Sequence, residues 1–73
     1  MAKHTFVVCI SNESYSASLE VRKLYEILPD DEAAKHGQGR IIDESGEDYL
    51  YPQSFFAPVE LPSQTQLLVL KAA

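Results

Sequence analysis

The sequence predicts a small, mainly β (all-β) domain whose helix is limited to single turns and a possible short C-terminal helix. Two observations carry this. Residues Gly39–Asp43 and Asp48–Tyr51 are rich in β-forming residues and flank Glu44-Ser45-Gly46-Glu47, which reads as a β-hairpin with Gly46 at positive φ. Around that hairpin the chain is a series of short apolar runs separated by turn residues, with no repeat, linker or low-complexity tract. At 73 residues it is one domain.

Taken in order, Thr5 to Ile10 is β-branched and aromatic and reads as a strand. Ser11-Asn12-Glu13-Ser14 ends it, because Ser and Asn side chains compete for local backbone hydrogen bonds. Leu19 to Leu28 is ambiguous. Val21, Leu24, Tyr25 and Leu28 fall at helical spacing, and periodicity favours a helix slightly. The same residues also read as two strand pieces, Leu19–Val21 and Tyr25–Ile27, bent at Arg22-Lys23. Pro29 closes either element. Asp30 to His36 reads as a short helical turn, capped by Asp30 or Asp31 and left through Gly37. After the hairpin, Pro52 stops the second strand. Ala57 to Leu61 reads as an edge strand, since Pro58 cannot donate to a ladder. Ser63-Gln64-Thr65-Gln66 has the capping-box pattern and opens an apolar tail, Leu67-Leu68-Val69-Leu70. A free helix of this length is marginal in water, so the tail must dock, pair with a second copy in a homodimer, or fray.

Composition excludes several classes of function. Cys9 is the single cysteine, so neither an internal disulfide nor a multi-thiolate zinc site is available. Set within Phe6-Val7-Val8-Cys9-Ile10, it reads as a small buried hydrophobe, and a lone thiol fits a reducing cytoplasm. Met1-Ala2-Lys3-His4 and the short run after it do not make a signal peptide, and no stretch is long enough to span a membrane. The net charge of −5 repels phosphate backbones and anionic lipid, and the six Lys and Arg residues are scattered. Direct nucleic-acid and membrane partners are therefore not expected.

No catalytic constellation is present. Asp43, Glu44, Glu47 and Asp48 crowd one hairpin without the spacing of a calcium loop, and read as solvated turn carboxylates. His4 and His36 stand apart from any metal-ligand pattern, no serine sits in a nucleophile elbow, and Gly37-Gln38-Gly39 stands alone. The expectation is a protein that is not an enzyme and needs no cofactor. Tyr49, Leu50, Tyr51, Pro52, Phe55 and Phe56 concentrate most of the aromatics, and such a cluster beside a proline suits a protein-binding surface.

The run Gly46-Glu47-Asp48-Tyr49-Leu50-Tyr51-Pro52-Gln53-Ser54-Phe55-Phe56 resembles the part of SH3-like barrels where a distal hairpin leads into a strand, a proline, one 3₁₀ turn and a last strand. Leu19 to Leu28 is similar to the segment that enters and forms the second strand of that family. Asp43 to Pro52 also looks like the core of short bacterial SH3-like proteins. The resemblance, which covers residues 5–61, implies a five-stranded SH3-like barrel over residues 1–62, followed by a tail at 63–73. It resolves residues 19–28 in favour of strand and implies one 3₁₀ turn at Gln53–Phe55. It also places Pro52 and Phe55 where groove residues stand, with Tyr51 and Phe56 turned to the core. The first strand offers Val8-Cys9-Ile10-Ser11 where the peptide-binding members place aromatics, and there is no tryptophan to wall the groove.

The function expected is a non-catalytic bacterial, cytoplasmic module that binds another protein through Tyr49, Pro52 and Phe55, helped by an acidic loop from Asp30 that faces a basic ligand. One alternative is an acidic inhibitor or mimic occupying a basic site on a nucleic-acid-processing protein. The other is a small-ligand binder or enzyme using the aromatic patch.

Overall fold

The β-branched run at the start forms strand β1, Thr5–Cys9, in the computed structural model, which describes residues 5–72. It is followed by β2 (Leu24–Leu28), a short helix α1 (Asp31–Lys35), β3 (Gln38–Ile42), β4 (Asp48–Pro52), a 3₁₀ turn (Gln53–Phe55), β5 (Phe56–Val59) and helix α2 (Ser63–Ala72). The five strands make one sheet in the order β4-β3-β2-β1-β5, with every neighbouring pair antiparallel. The outer strands β4 and β5 are not paired with each other, so the sheet is open rather than a closed barrel.

Register sorts the side chains. Val7 lies opposite Tyr25, Cys9 opposite Phe56, Ile27 opposite Ile41, and Gly39 opposite Tyr51. These residues share one face, and Val7, Cys9, Tyr25, Ile41 and Tyr51 bury there with Leu19. Phe6, Val8, Leu24, Glu26 and Ile42 occupy the opposite face by alternation.

The helical reading of residues 19–28 fails at Arg22, whose φ of 74° breaks any α-helix. Strand β2 begins only at Leu24, so the expected first strand piece, Leu19–Val21, is loop leading into a turn at Val21-Arg22 instead. Two bonds hold this bend to β1: the Arg22 N–H donates to the Cys9 carbonyl at 2.7 Å, and the Cys9 N–H to that of Lys23 at 2.9 Å. Leu19 is carried into the core by the loop, while Val21 is 44% exposed.

Helix α1 forms as its capping signal predicts. The Asp30 carboxylate accepts from the Ala33 N–H at 2.9 Å, and Gly37 leaves with φ +70°. The same carboxylate accepts from Arg40 Nε at 2.8 Å, so Asp30 is engaged within the fold and does not face outward toward a ligand. In the hairpin the strands stop at Ile42 and resume at Asp48, leaving 43–47 as the loop, one residue longer than the expected four. The Asp43 N–H donates to the Glu47 carbonyl at 3.1 Å, and Gly46 sits at φ +84°. A Cβ at Gly46 meets nothing within 4 Å, so a substitution there costs backbone strain alone. Gly46→Val is expected to destabilise by about 1–2 kcal/mol. A urea midpoint equal to that of the wild type would refute the turn assignment.

Helix α2 begins one residue before the expected box allows. The Gln66 N–H donates to the Pro62 carbonyl at 3.0 Å, which places Ser63 inside the helix rather than at its cap, and Gln66 Nε2 reaches back to the Leu61 carbonyl at 3.0 Å. Leu67 and Leu68 face solvent at 59% and 62% exposure, whereas Val69 and Leu70 turn toward the outer sheet face. No helix of the described residues is long and apolar enough to cross a membrane. His4 and the start of the chain lie outside the described residues.

Candidate interaction surface

Strand β4 lies at one edge of the sheet, and this position decides what its side chains meet. Tyr51 points inward and is buried, as the resemblance implies. Tyr49, two residues earlier on the same face, lies toward the hairpin end and is half-exposed, and Leu50 on the other face is 40% exposed. Pro52 ends the strand half-buried and leads into the 3₁₀ turn. Phe55 on that turn is also half-buried and packs against the core cluster, as Phe56 does. The two phenylalanines are therefore not divided into one surface ring and one core ring.

The structure adds a residue that the sequence reading did not single out. Tyr15, in the long loop between β1 and β2, sets its ring edge-on to Tyr51 at 5.1 Å and to Phe55 at 6.0 Å between centroids, and remains 42% exposed. The Tyr15 N–H donates to the Asn12 carbonyl at 2.8 Å, and the Leu19 N–H donates to the Tyr15 carbonyl at 3.0 Å, so the loop is held as Leu19 enters the core. Tyr15, Tyr49, Leu50 and Tyr51 line a shallow cavity of about 360 Å³, with Asp43 and Ser45 in its wall.

The carboxylates around it are directed apart. Asp43 is buried rather than solvated; it accepts from Tyr51 Oη at 2.6 Å, Ser45 Oγ at 2.6 Å and the Ser45 N–H at 2.9 Å. Burial pushes its pKa up, but the bonds from Ser45 and Tyr51 together outweigh that and hold it below the usual carboxylate value. Burial first, and the Asp43 bond second, raise the pKa of Tyr51. Glu44 accepts from Lys23 Nζ at 2.7 and 2.6 Å and from Tyr25 Oη at 2.5 Å, and these two partners lower its pKa, Lys23 the more. The Tyr25 hydroxyl, raised by burial and by Glu44, accepts in turn from the Glu20 N–H at 2.7 Å. Asp48 is bound to Arg40 at 2.9 Å. Cys9 is 1% exposed with its thiol pushed up by burial, so the lone sulfur is held in its unreactive protonated form. His36 ends α1 with its ring largely exposed.

No protein-family model, curated protein or solved structure matches the chain.

Proposed function

We propose that this chain is a non-catalytic bacterial, cytoplasmic module of the SH3-like class that binds another protein through its aromatic end. The strand order, the hairpin between β3 and β4, and the 3₁₀ turn between β4 and β5 support the architectural part of that reading. The observation that carries the functional part is the grouping of half-exposed Tyr15, Tyr49 and Leu50 around one concave spot, with Pro52 and Phe55 continuing the surface along the chain. Rings are effective anchors because they bury large area while freezing few rotamers. The acidic-mimic reading has less support, since Asp30, Asp43, Glu44 and Asp48 are all engaged by partners within the fold.

Capture of a partner from a bacterial lysate by the immobilised chain, followed by its purification, supplies the binding assay. Tyr49→Ala is expected to weaken that complex about tenfold or more while moving stability by less than about 0.5 kcal/mol. Raising salt from about 0.05 to 0.5 M is expected to change the affinity little, because apolar anchoring is not screened. A complex indifferent to Tyr49→Ala would place the surface elsewhere, and one that dissolves steeply with salt would favour electrostatic mimicry.

A further inference from the structure

Between α2 and the outer face of the sheet lies a cavity of about 660 Å³, away from the aromatic end. That size falls in the range of small-molecule sites, about 300–1,000 Å³. Phe6, Leu24 and Ile42 supply its floor, and Val69, Leu70 and Ala72 of α2 its roof. The helix thus lies over the sheet without closing a dry seam, which leaves apolar walls with no atoms packed against them.

Arg22, Lys23, Glu26, Asp43 and Glu44 are the cavity's charged lining, and of these Asp43 is held by Tyr51 and Ser45, and Glu44 by Lys23 and Tyr25. Arg22 and Lys23 stand just before β2 begins. The Lys23 ammonium is held by Glu44 at 2.6 Å, with Glu20 at 3.9 Å. The Arg22 guanidinium, in contrast, has no partner among the described residues. Its backbone is fixed by the bond to Cys9 and by the left-handed φ, so a cation with no partner among the described residues lines a cavity whose floor and roof are apolar. Glu26 lies further along the wall, within β2, and favours an anionic head at the Arg22 end rather than its own. A planar carboxylate matches the guanidinium fork, and an aliphatic chain matches the interior.

We infer that this cavity binds a single-chain fatty carboxylate, its head on Arg22 and its chain between α2 and the sheet. Its lining shares Asp43, and no other residue, with the aromatic cavity of the protein-binding surface proposed above.

The test is an amide NMR titration of the full chain with dodecanoate and, separately, dodecanol, each kept below its aggregation limit. Expected are shifts centred on Phe6, Ile42 and Val69, and dodecanoate binding about tenfold tighter than dodecanol. Shortening the acid to decanoate should weaken binding about tenfold, since each methylene is worth about three- to fourfold. Arg22→Gly keeps the left-handed backbone at no steric cost and should erase the preference for acid over alcohol. Val69→Trp fills the space and should block both probes. Equal affinity of the two probes for the wild type, shifts centred on Tyr49 to Phe55, or no binding of either would overturn the inference. So would an Arg22→Gly chain that still prefers the acid. That last arm decides the matter even if Val69→Trp does not fold.

Discussion

Leu19→Ala is expected to lower the unfolding free energy by about 2–5 kcal/mol. A core of this size supplies roughly 3–5 kcal/mol in total, so the variant should be largely unfolded at room temperature. Leu19 has no exposed surface and packs among Val7, Cys9, Tyr25, Ile41 and Tyr51, although it comes from a loop. The loop cannot collapse into the vacated volume. Asn12 Nδ2 donates to the Leu19 carbonyl at 3.0 Å, and the Leu19 N–H is bound to Tyr15, so the backbone on both sides of the side chain is tied. The control is Val21→Ala, two residues on and 44% exposed, which should stay within about 0.5 kcal/mol of the wild type. Urea unfolding followed by circular dichroism checks both. If the two substitutions cost the same, Leu19 is not the plug of the core.

The contrast between Leu19 and Val21 shows which parts of this fold can be read from residues alone. The hairpin was legible because Gly46, the β-rich runs on either side and Pro52 each constrain the backbone locally. Helix α1 was legible for the same reason, since Asp30 caps it and Gly37 releases it within one short segment. Residues 19–23 were not, because their apolar spacing suits a helix and a bent strand equally. What decides them is Tyr25 pairing with Val7 on a distant strand. Tyr15 left no signal: it stands between serines in a polar loop, and only the fold brings it against Tyr51 and Phe55. Asp43 was misread as solvated because four carboxylates in a turn normally face water. Its burial follows from Tyr51, eight residues away across the hairpin, whose inward ring needs an acceptor for its hydroxyl. Phe55 and Phe56 were separated by a resemblance that treats neighbours on a turn as opposite-facing, while Tyr15 folds over the first and draws it inward.

Tyr51→Phe is expected to cost about 1–3 kcal/mol at neutral pH, because it removes the hydroxyl that satisfies a buried carboxylate oxygen without creating a cavity. Asp43 then keeps only its two bonds from Ser45, both on the other oxygen. The cost should depend on pH, and its sign follows from the direction of the shifts. Asp43 and Glu44 have folded pKa values below their unfolded ones, so their contribution is complete above about pH 5 and is lost as pH falls through the folded values. Tyr25 and Tyr51 have folded values above their unfolded ones, so their contribution is complete below about pH 9 and is lost as pH rises through the folded values. The wild-type chain should therefore be most stable between about pH 5 and 9. In Tyr51→Phe the Asp43 carboxylate loses one of the bonds that depress its pKa, while its burial remains. Its folded and unfolded values converge, and the acid limb contributed by Asp43 flattens. The penalty for the substitution should then shrink between pH 7 and pH 3, where the protonated acid no longer needs a donor on both oxygens. Melting temperatures of the two proteins at about pH 3, 5 and 7 measure this directly. A difference that stays constant over the range would mean that the Tyr51 hydroxyl stabilises the fold without acting through the ionised Asp43, and that the acid sensitivity resides instead in Glu44 and its bonds to Lys23 and Tyr25.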